Sequence, residues 1–214
     1  MPMGKFRQER RRLRIDRAEV LLEKVRRKEG IRKWFESLDA FSHSPKVRLF
    51  DFEGTPVVIK DTKGAEKEGY SFHKFRETIR KHHRAQRGGK IRTTRYILKP
   101  PRVYGRIGPY LLMEFMDGKS AYEIDCKKGV FEEFCNKKGL KPTEETMNSL
   151  KEAIAEMESN FHWLEAHEEL PQIPLTGGNF PAIPQYGDWV ILGNTNPKSP
   201  ADGKWIIAPT YDLT

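Results

Sequence analysis

The chain has 214 residues, of which 37% are hydrophobic, and carries a formal net charge of +9. That length suits one domain of two lobes or two small domains, and no apolar run approaches the roughly 18 residues that span a bilayer, which argues against a membrane-spanning protein. The charged N-terminus argues against a secretory signal, and two cysteines outside any CxxC pattern argue against a disulfide framework, so we expect a cytoplasmic protein.

The positive charge is concentrated in two segments. Residues 1–33 hold 13 Lys/Arg and 5 Asp/Glu, and residues 71–106 hold 12 Lys/Arg and one Asp/Glu. Basic segments on an otherwise acidic chain favour a phosphate-rich partner. We therefore expect residues 5–33 and 74–106 to bind nucleic acid or an acidic protein partner. The alternative is that both segments are ordinary solvated helix faces.

The first half of the chain alternates between helical and strand patterns. A helix is predicted over residues 8–29, where apolar residues recur every three or four positions. The period changes at residues 46–60, where two apolar strands flank the turn sequence EGTP and predict a hairpin. A second helix is predicted over residues 66–86. A second pair of strands is predicted over residues 102–106 and 109–116.

The second half is mainly helical and ends in a hairpin. Pro142-Thr143 followed by two glutamates predicts the start of a helix, whose apolar spacing continues to Leu164. The stretch ELPQIPLTGGNFPAIPQYGD predicts a proline-rich loop. WVILGN and KWIIAPTYDL predict two strands around a turn. The order of elements predicts an α+β fold.

Three segments, TPVVIK, KPPRVYGRIGPYLLMEFMDG and TYDLT, resemble the protein-kinase-like superfamily, in particular RIO-type and aminoglycoside-phosphotransferase-like kinases. The first is similar to the strand that ends in a phosphate-binding lysine, the second to the strands leading into the hinge, and the third to the metal-binding Asp-Phe-Gly. The resemblance implies a two-lobed fold. An antiparallel-sheet N-lobe would cover residues 43–116 and a short, minimal helical C-lobe residues 117–214, preceded by a basic N-terminal helical arm over residues 1–42.

The resemblance implies an ATP-dependent phosphotransferase that moves the γ-phosphate of ATP to a hydroxyl acceptor on a protein or a small molecule. Lys60 would bind the α- and β-phosphates, and Glu114, Phe115 and Met116 would hold adenine at the hinge. Glu68 would hold Lys60, because apolar residues follow it at positions four, seven and eleven along one helix face. The alternative for Glu68 is a solvated glutamate in the first turn of that helix.

The catalytic loop of the family matches in two ways. In the first alignment Asp188 positions the acceptor hydroxyl, and Asn194 joins Asp212 in holding Mg²⁺, with one residue more than the usual spacing. In the second alignment WVILGN is the strand after the loop. That alignment puts Gly178-Asn179 at the catalytic position and removes the catalytic aspartate.

Two departures from the family pattern support a second function. No glycine-rich loop precedes the first hairpin, and Asp188 and Asn194 are one residue further apart than the family spacing. The chain also stops two residues after Asp212, which is typical of a minimal version of the fold or of a domain cut from a longer protein. The alternative to an active enzyme is therefore a catalytically inactive, pseudokinase-like module that binds nucleic acid or a partner protein through its basic segments.

Overall fold

The computed structural model describes residues 15–28, 30–40, 46–62, 72–167, 172–175, 178–181 and 189–209. The predictions on Glu68, Asp188 and Asp212 lie outside the described residues. The first residues of the helices predicted over 8–29 and 66–86 also lie outside the described residues.

The described residues form a mixed α+β structure. The helices are α1 (Ile15–Arg26), α2 (Ile31–Ser37), α3 (Phe72–Arg87), α4 (Ala121–Cys126), α5 (Val130–Lys138) and α6 (Glu144–His167). The strands are β1 (Asp39–Ala40), β2 (Val47–Phe52), β3 (Thr55–Asp61), β4 (Tyr96–Leu98), β5 (Val103–Ile107), β6 (Tyr110–Glu114), β7 (Lys119–Ser120), β8 (Gln172–Leu175), β9 (Gly178–Pro181), β10 (Trp189–Asn194) and β11 (Trp205–Pro209). The hairpins β2–β3, β5–β6 and β10–β11 and the long helix α6 confirm the sequence patterns that predicted them.

The predicted proline-rich loop is wrong in one part, because β8 and β9 form a short antiparallel hairpin inside it. Both are edge strands of a two-stranded sheet, where a proline removes no hydrogen bond to a third strand. Pro174 and Pro181 are therefore compatible with this pairing. Strand β4 was also not predicted, since three residues are too few to show a period.

The described residues divide into two compact units. The first unit takes its residues from 1–63 and 102–115, and the second from 64–101 and 116–214. The helix α3 and the strand β4 fall in the second unit, because α3 packs on α6 and β4 pairs with β11. The N-lobe expected over residues 43–116 thus contains residues of both units.

A five-stranded antiparallel sheet, in the order β1-β2-β3-β6-β5, forms the first unit together with α1 and α2. Leu21 and Val25 of α1 and Phe35 of α2 are buried in one hydrophobic cluster with residues of β2, β3 and β6. Gly105 on β5 allows α1 to approach the sheet, because a Cβ built there would lie 2.6 Å from Leu22 Cδ1. The described part of the expected N-terminal arm is therefore built into this core.

The second unit contains a four-stranded sheet in the order β4-β11-β10-β7, with β11 parallel to β4. Its own hydrophobic cluster joins α3, α4, α5 and α6 to this sheet, and Phe161, Trp189 and Trp205 in it have no exposed surface. The rings of Phe161 and Trp189 are stacked with centroids 5.6 Å apart. Each unit therefore has a separate core.

Candidate functional site

Lys60 lies on the central strand of the first unit. Strand β3 is paired on both sides, and Lys60 is opposite Val47 on β2 and Leu111 on β6. The side chain of Lys60 is only 7% exposed. Lys60 is the second-last residue of this strand. Burial strengthens the interaction of an ammonium group with an anion.

The hydrophobic cluster of the first unit lies on one face of β3. Val57 and Ile59 belong to the hydrophobic cluster that α1 and α2 cover. Side chains alternate along a strand, so Lys60 and Val58 lie on the opposite face. Directly paired residues of antiparallel strands share a face, which adds Leu111 to the face of Lys60. The amine is thus separated from the hydrophobic cluster by the sheet itself.

The strand next to Lys60 is the one that enters the expected hinge. Strand β6 pairs with β3 along its whole length and ends at Glu114, and no regular element is assigned from Phe115 until β7 begins at Lys119. Met116 is buried, with 2% exposure, whereas Phe115 is half-buried. The chain therefore leaves the sheet two residues before the end of the strand predicted over 109–116, at the first residue of the expected hinge.

The side chain of Glu114 is engaged on the edge of the sheet. Its Oε2 accepts a hydrogen bond from the backbone N–H of Arg102 at 3.2 Å, and its own N–H donates to the Arg102 carbonyl at 2.7 Å. Burial, together with the charge of Glu114, raises the pKa of the neighbouring Tyr104 to about 12. Glu114 pairs with Val57, so its side chain lies on the face opposite Lys60. Any contribution of Glu114 to adenine binding would come from its backbone.

Asp117, which follows the expected hinge, is held by two lysines of the second unit. Lys137 Nζ is 2.7 Å from Asp117 Oδ1, while Lys138 Nζ donates to Asp117 Oδ2 at 3.2 Å and to its carbonyl at 2.8 Å. Burial alone would raise the pKa of Asp117, but the hydrogen bonds and charges of the two lysines outweigh it and lower that pKa. Asp117 is therefore ionised at neutral pH, and its two lysine partners fix the segment between β6 and β7 to α5.

Gly118 follows at a point of close approach. A Cβ at this position would collide with the carbonyl oxygen of Ile191 and with Val190 on β10. Only glycine lets the chain enter β7, whose residues pair with β10, at this distance. The close packing of this segment on β10 therefore requires glycine at position 118.

Asn194 is part of a turn rather than an open ligand. Its Nδ2 donates to the Pro200 carbonyl at 3.1 Å, and its Oδ1 accepts the backbone N–H of Asn196 at 2.8 Å. The side chain is 8% exposed, and a Cβ on Gly203 would collide with its Oδ1. This geometry shapes the connection between β10 and β11, so Asn194 does not fit a Mg²⁺ ligand in this structure.

The two alignments of the catalytic loop can be compared with the strands. Trp189–Asn194 is strand β10, which the second alignment predicts and the first does not. The second alignment places its loop at Gly178-Asn179, which lie in strand β9. Asp188 and Asp212 are outside the described residues, as is Glu68. Lys60 is therefore the one predicted phosphate ligand whose surroundings can be described.

The sequence did not predict that Lys137 and Lys138 bind Asp117. Lys137 and Lys138 lie twenty and twenty-one positions after Asp117 and reach it from α5. Nothing in their local sequence distinguishes them from the solvated lysines in the last turn of a helix. In the described part of the chain, no group of three or more His, Cys, Asp or Glu side chains could hold a metal ion, and no helix is long and apolar enough to cross a bilayer.

Comparison with known proteins gives no relative from which a role could be transferred. No family model, no curated protein and no solved structure matches the chain.

Proposed function

We propose that the chain is an ATP-dependent phosphotransferase of the protein-kinase-like type. The observation that carries the proposal is the position of Lys60, a buried amine on the central strand, next to the strand that runs into the hinge. This order of lysine strand, partner strand and hinge is the one that the sequence resemblance implies for a nucleotide-binding lobe.

The role of Lys60 follows from its charge and burial. Phosphoryl transfer depends mainly on positioning of the phosphates and on neutralisation of their charge. An ammonium group with little solvent around it interacts with phosphate oxygens more strongly than an exposed one does. In the proposal, Lys60 binds the α- and β-phosphates, and the backbone of Phe115 and Met116 holds the adenine ring.

The remaining roles follow from the resemblance alone. Asp212 would hold Mg²⁺, which supplies additional charge neutralisation at the transferred phosphate. Asp188 would orient the hydroxyl acceptor. Asn194 is not included, because its carboxamide is used in the β10–β11 turn.

Thermal unfolding in the presence of ATP and Mg²⁺ tests nucleotide binding. At a ligand concentration about 100 times Kd, binding stabilises the folded state by about 2.7 kcal/mol, so we expect a clear rise in Tm. Lys60→Met should remove most of that rise. Lys33→Met, which changes an exposed lysine on α2 in the same unit, should keep it.

Transfer of the γ-phosphate is measured separately with radiolabelled ATP. We expect labelled product with the wild-type chain and none with Asp212→Asn, while circular dichroism shows that the variant is folded. A Tm rise without transfer would support nucleotide binding and contradict the proposed transfer of phosphate. No Tm rise, or a rise that Lys60→Met leaves unchanged, would reject the proposed role of Lys60.

A further inference from the structure

The chain that follows Met116 is attached to the second unit at three successive residues. Lys138 Nζ donates to the carbonyl of Asp117 at 2.8 Å and to its Oδ2 at 3.2 Å. Gly118 lies so close to β10 that an added Cβ would collide with that strand. Lys119 then pairs with β10 in the antiparallel ladder. The path of the backbone directly after Met116 is therefore determined by α5 and β10.

The two lysines that hold Asp117 differ in burial and in the atoms that they contact. Lys137 Nζ is 2.7 Å from Oδ1, and its side chain is 56% exposed. The side chain of Lys138 is only 13% exposed, and its ammonium contacts the backbone carbonyl as well as the carboxylate. A buried ion pair is weak evidence for stability, because desolvation of the charges offsets their attraction. The contact with the carbonyl has a different consequence, since it fixes the direction of a peptide group.

Lys138 reaches Asp117 from a well-packed position. It is the last residue of α5, and Phe134 and Cys135 of this helix are buried in the hydrophobic cluster of the second unit. The aliphatic part of Lys138 passes beside β10, where a Cβ built on Gly193 would lie 3.9 Å from its Cδ. A long side chain that is already ordered by packing loses less entropy when its ammonium forms hydrogen bonds. The contact with Asp117 is therefore made from a rigid support.

We propose that Lys138 is a positioning residue for recognition of the nucleotide base. By holding the carbonyl and the carboxylate of Asp117, it orients the backbone of the preceding Met116, to which the proposed function assigns part of the adenine site. The inference rests on that proposed function and specifies how base binding is achieved. Hydrogen bonds weaken steeply at angles below about 120°, so a base that is bound by backbone groups requires a peptide plane held in one direction. The ligand class is an adenine nucleotide whose base and phosphates both contribute to affinity.

Isothermal titration calorimetry of the full chain with ATP and with inorganic tripolyphosphate, each with Mg²⁺, tests this inference. The two ligands share a chain of three phosphates, but only ATP carries a base. Lys138→Met is compared with the matched control Lys127→Met, which removes a partly exposed lysine at 2.8 Å from Glu123 in the same unit. Circular dichroism shows whether each variant is folded. If Lys138→Met does not fold, Lys138→Gln takes its place, because it removes the charge and keeps a polar side chain.

We expect Lys138→Met to bind ATP about 10-fold more weakly, which is the effect of about one well-aligned hydrogen bond, and to bind tripolyphosphate as the wild type does. Lys127→Met should bind both ligands like the wild type. A purely structural role would lower stability without changing the ratio of the two affinities. Equal weakening of both ligands, or unchanged ATP binding, would therefore overturn the role of Lys138 and leave the phosphotransferase proposal in place. If the wild type bound neither ligand, the phosphotransferase proposal would fail and this inference with it.

Discussion

His82 is the clearest case of a single residue whose environment sets its chemistry. It has no exposed surface, and its Nε2 is 2.6 Å from the hydroxyl of Tyr96. Asn160 Nδ2 donates to the same hydroxyl at 2.9 Å, so the Tyr96 O–H donates to His82 Nε2. The proton of the neutral ring is then on Nδ1, which is buried without a partner. Burial, with a smaller contribution from the charge of the nearby His83, lowers the pKa of His82 to about 4.

The low pKa of His82 predicts a loss of stability in acid. Its folded-state pKa of about 4 lies below the ordinary 6.5, so the unfolded chain takes up the proton first as the pH falls. The resulting stability is complete above pH 6.5 and is lost between pH 6.5 and 4. At pH 5 we expect a loss of about 2 kcal/mol from this residue. Urea unfolding at pH 7 and pH 5 measures it.

The variant His82→Gln isolates this contribution, because glutamine does not titrate in that range. The unfolding free energy of the variant should fall by about 2 kcal/mol less than that of the wild type between pH 7 and pH 5. If the unfolding free energy fell equally in the two proteins between pH 7 and pH 5, His82 would not be the acid-sensitive group.

For single residues, the sequence predicted which strand carries a residue but not which face of the sheet its side chain occupies. The apolar run before Lys60 predicted a buried strand that ends in this lysine, and the structure confirms its burial. The side chain of Glu114 could not be placed, because its face depends on the register with β3. The burial of His82 could not be predicted, because charged residues precede and follow it in the sequence.

The turn between α3 and β4 shows how one element can be ordered by another far away in sequence. Glu156 lies 62 positions after Thr94, yet its carboxylate accepts hydrogen bonds from Thr94 and at 3.4 Å from the N–H of Arg95. Glu152, one turn earlier on α6, forms an ion pair with Arg95 at 2.6 Å. Side chains on one face of α6 therefore order the turn at residues 88–95 through hydrogen bonds and an ion pair.

Replacement of Glu156 should loosen this turn. Glu156→Gln removes the charge from three hydrogen bonds at a partly exposed site, and we expect a loss of about 1–2 kcal/mol in unfolding free energy. Amide hydrogen exchange of Thr94 and Arg95 should become faster, as measured by NMR. The control Glu165→Gln breaks only an exposed contact with His162 on the same helix, which is worth little. A variant with unchanged exchange at both amides would contradict the ordering role of Glu156.

Elements with a clear period were predictable, and elements made by distant contacts were not. The helices α1 and α6 and the hairpin β2–β3 follow from apolar spacing and turn residues. The strand β4 exists because β11, more than a hundred residues later, pairs with it. No local pattern in β4, or in the segment RAQRGGKIRTTR before it, predicts that pairing.

The molecule as a whole has two hydrophobic clusters, one in each unit. Leu21 is fully buried in the first cluster, and Leu150 has 2% exposure in the second. A leucine-to-alanine substitution in a core costs about 2–5 kcal/mol. Because each cluster belongs to one unit, such a substitution should destabilise the unit that contains it more than the other unit.

Leu21→Ala should therefore reduce hydrogen-exchange protection in β3 and β6 and leave α6 nearly unchanged. Leu150→Ala should give the opposite pattern, with reduced protection in α6 and little change in β3. Hydrogen-exchange mass spectrometry of both variants measures this. If each variant lowered protection equally in both units, the chain would behave as one cooperative structure, contrary to the expectation.

The interleaving of the chain limits how the protein can be divided for study. The first unit is made of two stretches, residues up to 63 and residues 102–115, with part of the second unit inserted between them. A recombinant fragment that ends near residue 63 would lack β5 and β6 and would leave β3 as an unpaired, aggregation-prone edge. Isolation of that unit requires a fused gene in which a short linker replaces residues 64–101 and the reading frame stops after residue 115.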